Sequence, residues 1–103
     1  MNFTIIGAGS GGRAFAAYLS SKGHRVSMYN RSLSRIYHIQ KSGGIRATGE
    51  ITGFFSISIA TQNLKKALED AEIILLVVPA HAHGCLAKKI APFLKDGQII
   101  LLN

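Results

Sequence analysis

Phe3-Thr4-Ile5-Ile6 leads directly into Gly7-Ala8-Gly9-Ser10-Gly11-Gly12-Arg13, and that into Ala14-Phe15-Ala16-Ala17-Tyr18-Leu19. The first segment is a short apolar run suited to a strand. The last carries Ala14, Phe15, Tyr18 and Leu19 at helical spacing, which predicts a helix over 13–22 with these side chains inward. Between them Gly7, Gly9 and Gly12 stand at G-x-G-x-x-G. The spacing alone is weak evidence, and such a loop can simply turn a corner. Strand before and helix after are the context that gives it chemical meaning. Gly7 then permits the tight turn, Gly9 lets backbone approach a pyrophosphate, and Gly12 lets the helix pack close to the sheet. Residues 9–12 place free N–H groups of a helix start against that pyrophosphate, where the helix end carries about half a positive charge.

Working outward, Gly23 ends the helix and Arg25–Tyr29 is a second strand. Ser32 is a candidate cap for a helix running to about Lys41. Gly43-Gly44 breaks the chain, and two β-rich pieces separated by Glu50 to Gly53 predict a hairpin excursion. The second piece continues into a third sheet strand near Ser58–Thr61. Asn63 caps a short helix whose inner face is Leu64, Ala67 and Leu68. Residues 72–78 form an almost unbroken apolar strand of the kind buried on both faces of a parallel sheet. Pro79 ends it, and a helix follows from about Ala82 to Leu94, tightened or ended early by Pro92. The last strand is Gln98 to Leu102. Strands alternating with helices require right-handed parallel crossovers. The expected fold is α/β, a Rossmann-type doubly wound parallel sheet of order 3-2-1-4-5 with a β-hairpin between strands two and three.

The chain has 103 residues, 48% of them apolar and 17% charged, which suits one globular domain over 1–103. Its formal net charge is +7. The basic residues are scattered and not interleaved with aromatics, so anionic small ligands are expected rather than nucleic acid. The longest wholly apolar stretch, Ile73–Ala80, is too short to span a bilayer, and the first residues lack signal-peptide features. A single cysteine, Cys85, cannot build a disulfide framework. No membrane association and a cytoplasmic setting are therefore expected.

The tip of the second strand selects the dinucleotide. An Asp or Glu there commonly holds the ribose hydroxyls of NAD. This chain has Tyr29-Asn30-Arg31-Ser32 instead. No carboxylate is present to repel a 2′-phosphate, Arg31 offers a bidentate fork, and Asn30 and Ser32 offer hydrogen bonds. NADP is expected over NAD, although Arg31 as a solvated charge and Ser32 as a cap would account for the same residues. Pro79 and Ala80, after the fourth strand, are expected to flank the nicotinamide-side ribose. The expected cofactor-binding set is thus Gly7, Gly9, Ser10, Gly11, Gly12, Asn30, Arg31, Ser32, Pro79 and Ala80. His81 and His83 lack a nearby Cys or carboxylate cluster, so no metal site is expected. His81 is the only local candidate proton donor, and a polar loop residue is the simpler role. Cys85 is expected to be a small buried side chain, His24 structural, and Tyr18 and the phenylalanines core.

With these motifs, the chain resembles the N-terminal domain of the octopine/nopaline (opine) dehydrogenase family. Residues 7–32, 71–83 and 86–103 carry the likeness, and 43–57 is its weakest stretch. Ketopantoate reductase and glycerol-3-phosphate dehydrogenase share much of it, and the ending Leu94 to Asn103 favours the opine group. The resemblance implies reduction, by NAD(P)H, of an imine formed from an amino acid and a 2-oxo acid. It assigns Gly7, Gly9, Gly12 and Asn30–Ser32 to cofactor binding. The family's catalytic His and acidic partner lie in a C-terminal helical domain, so no catalytic residue is carried over. The chain is expected to be a fragment, a truncated gene product or a cofactor domain. By itself it should be inactive, acting on a small-molecule substrate through that further domain. A homo-oligomer or partner domain is also expected, because the final strand is apolar on both faces. The alternatives are a regulatory module that binds a dinucleotide without chemistry, or the cofactor domain of a ketopantoate reductase-like or glycerol-3-phosphate dehydrogenase-like enzyme.

Overall fold

The apolar run that opens the chain becomes the central strand. In the computed structural model, which describes residues 1–102, β1 (Asn2–Ile6) lies between β2 (Arg25–Tyr29) and β6 (Ile73–Leu76). The outer strands are β5 (Ile59–Thr61), beside β2, and β7 (Ile99–Leu102), beside β6. All four pairings are parallel. Counted within this sheet, the order is the expected 3-2-1-4-5. The excursion is an antiparallel hairpin of β3 (Gly44–Ala47) and β4 (Gly53–Ser56), with Ile45 opposite Phe55.

Successive residues of a strand face opposite sides, and that divides the core in two. Ile5 joins Val26, Met28, Ile36 and Ile39 on one face, under α1 (Ser10–Ser21) and α2 (Leu33–Ser42). Ile6 joins Ala67, Leu68, Ile74 and Ile90 on the other, under α3 (Leu64–Leu68) and α4 (His83–Ile90). Among the described residues the one buried polar side chain is satisfied: the Thr4 hydroxyl donates to the Ala67 carbonyl at 2.7 Å. The Asn63 carboxamide oxygen accepts from the Lys66 N–H and caps α3 as expected. The Ser20 hydroxyl donates to the Ser56 carbonyl and ties the hairpin to α1.

Two local expectations need correction. Helix α1 begins at Ser10 rather than Arg13, because Gly11 and Gly12 form its first turn. Its buried face is Gly12, Ala16 and Ala17, whereas Ala14, Phe15 and Tyr18 are exposed. Close approach of helix to sheet demands small side chains, so the larger ones face out; Phe54 on the hairpin is exposed as well. Helix α4 stops at Ile90, and Pro92 sits in a separate short 3-10 turn, Ala91–Phe93, the early end and tightening expected of that proline. That follows from the missing N–H of proline. Among the described residues, no helix is long and apolar enough to cross a membrane.

Candidate functional site

The glycine turn is fixed by sterics from two sides. Gly7 has φ +115°, a backbone state that side chains disfavour, and a Cβ there would collide with the Val77 carbonyl oxygen. A Cβ on Gly12 would collide with the Gly7 carbonyl oxygen. The two glycines therefore fit each other, and nothing larger fits at either place. The turn is stitched into the sheet by the Gly7 N–H donating to the Tyr29 carbonyl, 2.8 Å, and the Val77 N–H donating to the Ile6 carbonyl, 2.9 Å. Gly9 is the cap residue of α1, in extended conformation and with no side-chain cap. The first N–H groups of α1 are thus without a side-chain partner, the arrangement that suits an anion.

Asn30 joins this turn to the start of α2. Its Oδ1 accepts from the Ala8 N–H at 3.1 Å, and its Nδ2 donates to the Ser32 carbonyl at 3.0 Å. A carboxamide has two N–H donors, so one is left for a ligand. The Ser32 hydroxyl does not cap α2 in the expected way; it is hydrogen-bonded to the Ser34 hydroxyl at 2.8 Å. The Arg31 carbonyl accepts from the Gln62 carboxamide at 3.0 Å, which holds the Arg31 backbone to the end of β5.

Between the tip of β2 and the segment after β6 lies a cavity of about 350 Å³. Of the sequence-predicted residues, Gly7, Asn30, Arg31, Ser32 and Pro79 line it. Gly9 to Gly12 form the adjacent turn instead, and Ala80 is exposed in a short 3-10 turn, Ala80–Ala82. Sequence reasoning passed over Arg35 and Lys89, both of which line the cavity. Arg35 is in the first turn of α2, four residues past Arg31, and its Nη1 lies 3.4 Å from where a Cβ on Gly9 would be. A second arginine this soon after the strand tip was the available signal. Three cations therefore face the cavity, and no Asp or Glu is among its lining residues.

The histidines separate. His81 lines the cavity, while the His83 ring is hydrogen-bonded through Nε2 to the Val78 carbonyl at 3.2 Å. His24 packs edge-on against Phe3, a structural contact. Cys85 is exposed and lines the cavity, contrary to the expectation of a buried thiol. It lies on the outer side of α4, whereas Ile90 faces the core. Among the described residues, no three His, Cys, Asp or Glu side chains converge as metal ligands would.

The family model described as NAD-dependent glycerol-3-phosphate dehydrogenase N-terminus matches residues 2–102. The chain is 40% identical over 102 residues to an opine dehydrogenase of Arthrobacter sp. (strain 1C), covering 98% of this chain and 28% of that protein. It is 32% identical over 107 residues to a glycerol-3-phosphate dehydrogenase [NAD(P)+] of Moorella thermoacetica, covering 97% of this chain and 30% of that protein. A crystal structure of glycerol-3-phosphate dehydrogenase from Coxiella burnetii superposes with a TM-score of 0.81 at 28% identity, over 99% of this chain and 31% of that one. The chain thus spans about three tenths of the length of these relatives. It belongs to the family of NAD-dependent glycerol-3-phosphate dehydrogenase N-terminal domains, the NAD(P)-binding part of such dehydrogenases.

Proposed function

We propose that this chain is the NADP(H)-binding domain of an oxidoreductase that reduces an imine formed from an amino acid and a 2-oxo acid. The observation that carries the cofactor choice is the cavity at the tip of β2, with Arg31 and Arg35 on its wall and no carboxylate. A 2′-phosphate is a dianion with oxygens for both guanidinium forks. In this reading the pyrophosphate lies against Gly9, Ser10, Gly11 and Gly12, where the bare backbone and uncapped N–H groups of α1 suit it. Arg31, Arg35, Ser32 and the free N–H of Asn30 hold the adenosine-side phosphate. Pro79 and Ala80 flank the path toward the nicotinamide. When bound, the dihydronicotinamide supplies the hydride.

The imine chemistry is supported by the likeness to the Arthrobacter opine dehydrogenase. The family model favours a second reading, in which the substrate is glycerol 3-phosphate. A cofactor fold hosts either, so the substrate must be decided by activity. The whole gene product is expected to oxidise NADPH only when pyruvate and an amino acid are supplied together. Reduction of NADP⁺ with glycerol 3-phosphate, and no oxidation of NADPH with the pair, selects the second reading. The 103-residue chain by itself is expected to show no turnover in either assay. In this reading the chain supplies the cofactor side of a cleft, and turnover also needs a substrate held against the nicotinamide with a proton donor in reach.

We further infer that β7 is an association surface. Ile99 and Leu102 are more than half exposed, and Ile100 and Leu101 are also open to solvent, at the edge of the sheet. An apolar edge strand is a template for pairing. Light scattering should give a mass above that of one chain. Ile100→Lys with Leu102→Lys, two substitutions on one face of the strand, should return it to a monomer. A monomeric unsubstituted chain contradicts this.

A further inference from the structure

A second cationic cleft lies on the other side of α2. It is bounded by the first turn of α1, by α2 along its length from Ser34 to Ser42, and by the hairpin, and its volume is about 540 Å³. Arg13 from α1, Arg35 and His38 from α2, and Arg46 from β3 line it, and no Asp or Glu is among its lining residues. The carboxylates of the chain lie elsewhere. Glu69, Asp70, Glu72 and Asp96 fall in the turns leading into β6 and β7, at the amino ends of the strands, and Glu50 lies in the turn of the hairpin. Asp70 is committed to Arg25 at 3.6 Å, and Glu72 accepts the Asn2 N–H at 2.7 Å. Among the described residues, no Asp or Glu lines the cleft.

One wall of the cleft is preset. A Cβ on Gly44 would collide with the Phe55 carbonyl, and it would also fall 2.8 Å from the Phe54 ring. Glycine there lets the Phe54 ring lie against bare backbone. The Arg46 guanidinium stands over that ring, 5.9 Å from its centroid. A guanidinium held on an aromatic face keeps its N–H donors free for another acceptor and loses less freedom on binding.

We propose that this cleft is a second anion site, separate from the nucleotide cavity, which takes a multiply charged phosphate such as a pyrophosphate group. Its donors come from three different elements, α1, α2 and β3. A tetrahedral phosphate presents three terminal oxygens toward such a set, whereas a flat carboxylate presents two. Three guanidinium groups and an imidazole, unopposed by carboxylate, favour more than one negative charge. Arg35 lines both cavities, so the two sites share one cation.

The test is a titration of inorganic pyrophosphate into the isotope-labelled full chain, followed by NMR. It is repeated on Arg13→Ala/Arg46→Ala, two exposed positions. Saturable shifts are expected at residues 13, 35, 38 and 46, and the double substitution should weaken that response about tenfold or more. The amide spectrum of the substituted chain checks that it is folded. If it is not, Arg46→Lys serves instead; it keeps the charge, loses the fork, and should still weaken binding severalfold. Shifts confined to residues 7–12 and 30–32, no shifts at all, or an unchanged response in the folded variants would overturn the proposal.

Discussion

Gly12→Val is expected to leave little of the chain folded. Even the first carbon of the new side chain would land on the Gly7 carbonyl oxygen. Backbone cannot swing aside as a flexible side chain does. Gly7 is held by its hydrogen bond to Tyr29 and is itself pressed against the Val77 carbonyl. Relief therefore requires α1 to lift from β1, which uncovers Ile5 and Ala16. Overpacking in a core ordinarily costs ~1–3 kcal/mol, occasionally more. A backbone collision between two fixed elements belongs at the upper end, so about 3 kcal/mol or more is expected. Against a total stability of roughly 5–15 kcal/mol for a domain, that is a large share. The midpoint of urea denaturation should fall steeply or no transition should be seen. A midpoint equal to that of the unsubstituted chain would show that α1 does not seat on the turn as described.

Arg31→Glu is expected to have the largest effect on binding. The substitution removes a guanidinium fork from the cavity and puts a carboxylate where a 2′-phosphate would sit. Losing a charge-assisted hydrogen bond and adding repulsion should weaken NADPH by ~2 kcal/mol or more, at least roughly thirtyfold. NADH should be weakened little or improved, because a carboxylate at that tip can accept from the ribose hydroxyls. The loss should shrink as salt is raised, since Arg31 is exposed. Arg35→Ala should weaken NADPH in the same direction but less, as it removes a cation without adding an anion. Equal loss of both cofactors on Arg31→Glu would mean that the residue shapes the turn rather than reads the phosphate.

The sheet was legible in the sequence because its strands are apolar runs bounded by Gly and Pro, and because helices separate them. Ile73–Leu76 is recognisable without any partner, as it needs cover on both faces. Helix facing was less legible. In α1 the bulky Phe15 and Tyr18 imply an inward face, but the constraint is the distance between helix and sheet, and only Gly12, Ala16 and Ala17 satisfy it. The strand tip was legible in residue type, and its geometry was not. Asn30 spends most of its hydrogen-bonding capacity on Ala8 and Ser32, long-range and local bonds that no spacing discloses. Ser32 stands at the cap position while its hydroxyl turns to Ser34. Arg35 and Lys89 reach one cavity from different helices, which only the folded chain brings together.

In the proposed function, the cavity beside Arg31 and Arg35 receives a 2′-phosphate. Calorimetric titration of the full chain with NADPH and with NADH, in the same low-salt buffer, tests it directly. NADPH is expected to bind tighter by at least about tenfold, the effect of one good charge-assisted contact. Equal affinities, or tighter binding of NADH, would contradict it.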